Sequence, residues 1–199
     1  MKIAVIGTGR IGKAIGEGWK AAGHRVVYGS REPQGPEEKG IKAAADQAEV
    51  IAIATPWDAM VEVCKILGPQ KGKIIIDCSN PVMMGGGAPT DMTGHVLSGA
   101  EQVQQWRPEA RVFKSINQTG FENLINPKAF TSKPVMLVTG DDAMGKAAVM
   151  ELVADLGLDA VDTGPLANTD KLEQFAKLWI ELAFRRGLGR SFAFTISKR

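Results

Sequence analysis

The tightest constraint on this chain lies near its start. The apolar run Ile3–Ile6 leads straight into Gly7-Thr8-Gly9-Arg10-Ile11-Gly12. Behind that turn, Ile11, Ala14, Ile15, Gly18, Trp19 and Ala22 recur at the spacing of one helix face. A strand, a glycine turn and a helix in that order seat the pyrophosphate of a dinucleotide. Gly7 permits the tight turn, Gly9 lets the backbone approach the phosphates, and Gly12 lets helix and strand pack closely. The helix start offers free N–H groups and a partial positive charge. Gly7, Thr8, Gly9, Arg10, Ile11 and Gly12 are therefore the first expected cofactor-binding residues.

Further apolar runs follow at Arg25–Tyr28, Val50–Ala54, Lys73–Asp77, Arg111–Ser115 and Val135–Val138, with a possible edge strand at Leu158–Val161. They are nearly continuous rather than alternating, as in strands buried on both faces of a parallel sheet. Helical segments stand between them. Asp58–Leu67 follows Pro56, and Ala143–Leu156 is capped by Asp141 or Asp142 and closed by Gly157. Gly23 ends the first helix. Thr119-Gly120-Phe121-Glu122 reads as a capping box. Alternation of strand and helix predicts a doubly wound α/β (Rossmann) fold with a parallel sheet and right-handed crossovers. The expected division is a dinucleotide-binding domain over 1–164 and a small helical and strand appendage over 165–199.

That appendage begins with a helix from about Asp170 to Arg186, whose apolar stripe includes Leu172, Phe175, Ala176 and Trp179. Glu173, Lys177, Glu181 and Arg185 read as a solvated, ion-paired row. The tail Ser191–Ile196 reads as one more strand, packed on the domain or on a partner subunit. Its apolar content predicts a homodimer. The irregular stretch Ser79–Gly94 reads as a mobile loop over a site.

A formal charge of +2 gives no sign of a nucleic-acid or membrane surface. The N-terminal apolar run is too short for a signal peptide, and no run approaches a bilayer span, so a soluble, cytoplasmic protein is expected. Cys64 and Cys78 lack metal-ligand spacing and read as packing residues, so no metal site is expected. His24 reads as a surface residue, and His95, directly after the irregular stretch, is a weak candidate for the site.

The second strand decides which dinucleotide fits. NAD-preferring domains end it in a carboxylate that holds the ribose hydroxyls. Here it ends Tyr28-Gly29-Ser30-Arg31. Ser30 and Arg31 suit a 2′-phosphate instead, with Arg31 also placed to stack on adenine. Glu32 is discordant, and Lys39 adds charge nearby. Thr55 and Pro56, ending the third major run, fall near the cofactor's linking riboses. Ser79, Asn80, Pro81 and Asn117, at the ends of the next two, are candidates for the substrate pocket; the alternative is that Asn80 and Asn117 only cap turns. No catalytic residue is assigned.

These segments, with Thr55-Pro56-Trp57, Lys114-Ser115-Ile116-Asn117 and Leu178-Trp179-Ile180…Arg186-Gly187-Leu188-Gly189, resemble the NADP-dependent oxidoreductases of the deazaflavin coenzyme F-420. The motifs are shared with the reductase domain of membrane ferric reductases. The resemblance implies NADP(H) as cofactor, coenzyme F-420 as co-substrate, and direct hydride transfer between nicotinamide and deazaflavin or a flavin-like ring. Positioning then matters more than acid–base chemistry. Two other readings stand beside it. One is a β-hydroxyacid-dehydrogenase-like or imine-reductase-like NADPH enzyme using Lys171 as general acid. The other is a non-catalytic NADP sensor.

Overall fold

The strand-forming runs lie side by side in one eight-stranded sheet, whose spatial order, numbered along the chain, is 3-2-1-4-5-6-7-8. The computed structural model describes residues 1–81, 96–197 and 199. Strands β1 (Lys2–Ile6), β2 (Arg25–Ser30), β4 (Val50–Ile53), β5 (Ile74–Asp77) and β6 (Arg111–Lys114) pair in parallel, as their continuous apolar runs predict. The short β3 (Glu38–Gly40) was not visible in the sequence, because Glu38-Lys39-Gly40 carries no apolar pattern.

The fully parallel sheet expected from alternation needs correction. Strand β7 (Val135–Gly140) pairs antiparallel with β6, and β8 (Asp159–Asp162) follows β7 in parallel. The link from β6 to β7 holds only the short helix α5 (Phe121–Ile125) and a 3-10 turn at Pro127–Ala129. A parallel return needs a full-length crossover. Contact is confined to Phe113↔Gly140 and Lys114↔Thr139. A Cβ on Gly140 would lie 2.1 Å from the Phe113 ring, so glycine is what admits the strand there.

Alternate residues of the central strands feed two cores. Ile3, Val5, Ala52 and Ile76 face α1 (Arg10–Ala21) and α6 (Ala143–Asp155), where Trp19 Nε1 donates to the Leu152 carbonyl at 2.8 Å. Ala4, Ile6, Ile51 and Ile75 face α2 (Ile41–Asp46), α3 (Met60–Leu67) and α4 (Gly99–Trp106). Each fully buried aliphatic side chain contributes about 1.5–3 kcal/mol, which holds the helices on both faces. Helix α4 was not anticipated. It opens on a capping box, in which Ser98 Oγ accepts from Glu101 N and the Glu101 carboxylate accepts from Ser98 N.

The expected box at Thr119–Glu122 does not form. Gly120 is the N-cap of α5, Thr119 Oγ1 accepts from Asn123 Nδ2, and Glu122 meets Arg190 at 3.0 Å. Asp142 does cap α6, accepting from Gly145 N at 2.6 Å. His24 is less exposed than expected. Its Nε2 lies 2.8 Å from Asp155 Oδ2 and its Nδ1 3.0 Å from the N-terminal nitrogen, at the amino end of the strands.

Helix α7 (Thr169–Phe184) carries the predicted stripe. The tail behind it is irregular rather than a strand. Phe192 stacks on Trp179 with ring centroids 5.3 Å apart, Phe194 packs on Phe175 at 4.6 Å, and the Phe194 carbonyl accepts from Val135 N at 2.8 Å. Aromatic anchoring on its own domain thus decides the path of this tail. No helix among the described residues is long and apolar enough to cross a membrane.

Candidate functional site

The carboxyl ends of β1, β2 and β4 open into one cleft lined by Gly7, Thr8, Gly9, Ser30, Arg31, Thr55 and Pro56. Seven of the ten cofactor-binding residues named from sequence therefore converge. Arg10 and Ile11 continue from the turn into α1, and Gly12 is buried beneath it. The backbone explains each glycine. Gly7 takes φ +111°, and a Cβ there would meet the Ala54 carbonyl oxygen at 2.7 Å. A Cβ on Gly12 would stand 2.0 Å from the Gly7 oxygen. Around Gly9 the space is open for at least 4 Å, on the side from which a phosphate would approach. Gly9 is also the N-cap of α1, and no side chain caps it, so the first N–H groups of the helix remain available to a ligand.

At the nucleotide end, Ser30 Oγ accepts from Glu32 N at 3.2 Å, which leaves its O–H free to donate. Arg31 is exposed and has no hydrogen-bond or ion-pair partner among the described residues. Lys39 is engaged with Gln47 Oε1 at 3.2 Å. Among buried side-chain oxygens, Thr55 Oγ1 has no partner, and Thr55 lines this cleft. An orphaned hydroxyl, an unpartnered guanidinium and an uncapped helix start together fit a phosphorylated dinucleotide.

The ends of β5 and β6 are joined by a polar clasp. Asn80 Nδ2 donates to the Asn117 carbonyl at 2.7 Å, and Asn117 Nδ2 donates to Asn80 Oδ1 at 2.9 Å. Gln118 Nε2 donates to Asn117 Oδ1 at 2.7 Å. Asn80 and Asn117 are thus brought together, but their amides serve each other. Just before Asn117, Ile116 takes φ +60° while its side chain is buried. A left-handed β-branched residue costs about 1–3 kcal/mol and persists where the surroundings fix it. Here Ser115 Oγ and Gln118 Nε2 both donate to the Leu137 carbonyl, on either side of it.

Beneath this clasp lies a charge cluster that sequence reasoning missed. Lys114 Nζ is fully buried, 2.7 Å from Asp77 Oδ2 and 3.2 Å from Glu173 Oε1. Asp77 Oδ1 accepts from Ser79 N and Ser79 Oγ, which fixes the turn into Asn80. Glu173 Oε1 also accepts from Gly99 N at 2.9 Å, tying α7 to the start of α4. The solvated row read along α7 therefore fails at Glu173, although Glu181 and Arg185 do pair at 3.2 Å. A signal existed for two of the three: Asp77 ends one apolar run and Lys114 is the penultimate residue of the next, and a charge buried there must be paired. Glu173 gave none.

Burial pushes the Glu173 carboxyl above its ordinary range, against the opposing pull of Lys114. A group that binds its proton more tightly when folded contributes stability below its unfolded value of 4.5, and loses it as pH rises through the raised value. Glu173→Gln removes that titration. The melting temperature of the variant is expected to fall less than that of the parent as pH rises from about 4.5 towards 8. Parallel melting curves across that range would refute the assignment.

Pro81 borders a second depression with Trp57, Leu97, Gln174 and Lys177. Lys171 is exposed on the first turn of α7, bound to Asn168 Oδ1 at 2.9 Å, and lines neither depression. His95 and residues 82–94 of the expected loop lie outside the described residues. Both cysteines are buried, and burial pushes the Cys64 thiol up to about 11 and the Cys78 thiol higher, which suits packing rather than reactivity. No metal-holding group of His, Cys, Asp or Glu occurs among the described residues.

Residues 2–81 match the protein family described as NADP oxidoreductase, coenzyme F-420-dependent. A candidate F-420-dependent NADP-reductase from Arthrobacter sp. FB24 shares the fold over 100% of both chains, with TM-score 0.86 and 28% identity. A hypothetical protein of Sinorhizobium meliloti matches over 99% of this chain and 96% of its own, with TM-score 0.73 and 27% identity. The metalloreductase STEAP3 of Rattus norvegicus is 25% identical over 86% of this chain, which spans only 36% of that protein. A reductive aminase of Aspergillus terreus, solved with an NADPH analogue, shares the fold at TM-score 0.68 and 20% identity, over 94% of this chain and 62% of its own.

Proposed function

We propose that this chain, whose residues 2–81 match the NADP oxidoreductase family described as coenzyme F-420-dependent, transfers hydride directly between NADP(H) and a deazaflavin or flavin-like ring. The observation that carries the NADP half is the end of β2. Where a ribose-binding carboxylate would stand, Ser30 offers a free O–H and Arg31 an unpartnered guanidinium to the same cleft as the glycine turn. Helix α1 and Thr55 would hold the pyrophosphate and linking riboses, and Arg31 would hold the 2′-phosphate. The acceptor half rests on the family description and on likeness to the Arthrobacter chain.

When bound, NADPH supplies a hydride from its nicotinamide C4, and the acceptor ring takes it together with a proton from solvent. The residues around the cleft position and shield rather than titrate: among the described residues, no Asp, Glu, His or Cys lines it. The Asn80–Asn117 clasp, held by Asp77 and Lys114, fixes the ends of β5 and β6, and such rigidity would serve the positioning that a hydride transfer chiefly needs.

Arg31→Ala is expected to weaken NADPH binding by about 1–3 kcal/mol, the range of a charged hydrogen bond, and to leave NADH binding nearly unchanged. Equal losses for both would remove Arg31 from the 2′-phosphate. The activity itself is tested by following NADPH oxidation with coenzyme F-420, with free flavin and with no acceptor, side by side. Fast oxidation with the deazaflavin alone is the expected result. Tight NADPH binding with no oxidation in any mixture would overturn the reading and favour a sensor.

A further inference from the structure

The last residues of the chain return to the cofactor turn. Beyond α7 the backbone runs back across α5, where Asn123 Nδ2 donates to the carbonyls of Arg190 and Phe192 at 3.2 and 2.8 Å. Trp179 Nε1 donates to the same Phe192 carbonyl at 3.1 Å. This strap delivers the Arg190 guanidinium to the Phe121 ring, 5.1 Å from its centroid. The same ring lies 5.3 Å from the guanidinium of Arg10, the first residue of α1. Arg190 is balanced by Glu122 at 3.0 Å. Arg10 has no hydrogen-bond or carboxylate partner for its side chain among the described residues, and its guanidinium lies against Phe121.

Two cations on one phenyl ring, one from each end of the chain, need a reason. The strap is already held by Asn123 and Trp179, and Arg190 also lies 5.4 Å from the centroid of the Phe184 ring, so the strap keeps its path without the Arg10 contact. What the arrangement does fix is the first side chain of the phosphate-binding helix. An exposed arginine samples many rotamers, and one held against an aromatic face samples few. Held there, its charge adds to the partial positive charge at the helix start, where the pyrophosphate would lie.

We infer that Arg190 is a positioning residue for the dinucleotide, acting through Phe121 on Arg10, so that the C-terminal strap forms part of the cofactor site. This rests on the NADP(H) reading above. The ligand it serves is the pyrophosphate common to NADPH and NADH, so its effect does not discriminate between them, in contrast to that of Arg31.

The test is a thermodynamic cycle on NADPH affinity, measured by fluorescence titration of the full chain well below each variant's melting transition. Arg190→Ala is expected to raise the Kd for NADPH about fivefold, the weight of a partly exposed cation–aromatic contact, and to raise it equally for NADH. Arg190→Lys is expected to recover part of the loss. Arg10→Ala is expected to lose as much or more, and the double variant to lose no more than Arg10→Ala alone. Phe121→Leu, which keeps both arginines, is expected to reproduce the Arg190→Ala loss, and it serves as the test should Arg190→Ala not fold. A parent chain that fails to bind NADPH would overturn the functional reading itself. A parent that binds, with Arg190→Ala and Phe121→Leu unchanged, would overturn this inference alone. Additive losses in the double variant would also overturn it, because Arg190 would then act on the ligand independently of Arg10.

Discussion

Lys114→Met is expected to lower the stability of the folded chain by about 3–5 kcal/mol at neutral pH. The substitution nearly conserves the length of the side chain, so the cost is electrostatic. Lys114 is the one ammonium between Asp77 and Glu173, in a site from which water is excluded. Its removal leaves two carboxylates facing each other without a counter-charge. Burial of this ammonium is itself unfavourable, yet the carboxylates outweigh it and hold the amine above its ordinary range. The loss should shrink towards low pH, where the carboxylates take up protons. Chemical denaturation at two pH values checks both statements. A loss below about 1 kcal/mol at neutral pH would show that the cluster relaxes without its cation.

Gly12→Ala and Gly9→Ala are expected to separate fold from function. The added methyl at position 12 would meet the backbone oxygen of Gly7 at 2.0 Å, and backbone cannot swing aside as a side chain can. The turn must move, which costs about 1–3 kcal/mol of stability or more and disorganises the phosphate site, with at least a tenfold loss of NADPH affinity. At position 9 the methyl meets nothing within 4 Å, so the melting temperature should hold. The same methyl would enter the space through which a pyrophosphate approaches the backbone, so affinity should fall without loss of stability. If Gly9→Ala binds NADPH like the parent, the phosphate does not lie against this turn.

The readable parts of this chain are those whose physics is local. A glycine turn between strand and helix leaves its mark within a dozen residues. Gly12 is required by a contact with Gly7 inside the motif itself, while Gly7 also meets Ala54 at the end of the neighbouring strand. The five central parallel strands were legible because burial on both faces leaves nearly unbroken apolar runs. The direction of β7 was not, because Val135–Val138 is equally apolar whichever way it runs, and the choice is made by Gly140 against Phe113 and by the short link before it. Helix α4 escaped because its capping residues, Ser98 and Glu101, stand next to a stretch without periodicity.

The candidate site divides along the same line. Ser30 and Arg31 could be named from a missing carboxylate at one strand end. The Asp77–Lys114–Glu173 cluster could not, because it joins three elements far apart in the chain, and on α7 Glu173 follows the four-residue spacing of an exposed ionic row. Arg190 was hidden for a related reason: its partner Phe121 is identified only by the path of an irregular tail, and that path is set by the stacking of Phe192 on Trp179.

The central claim, direct hydride transfer between nicotinamide and an acceptor ring, is tested most directly by isotope transfer. NADPH carrying deuterium at the transferred C4 position would be mixed with this protein and oxidised coenzyme F-420, and the reduced coenzyme examined by mass spectrometry. The account predicts that the deuterium is retained on the reduced ring. Loss of the label to water, or NADPH that binds tightly while the coenzyme stays oxidised, would contradict it.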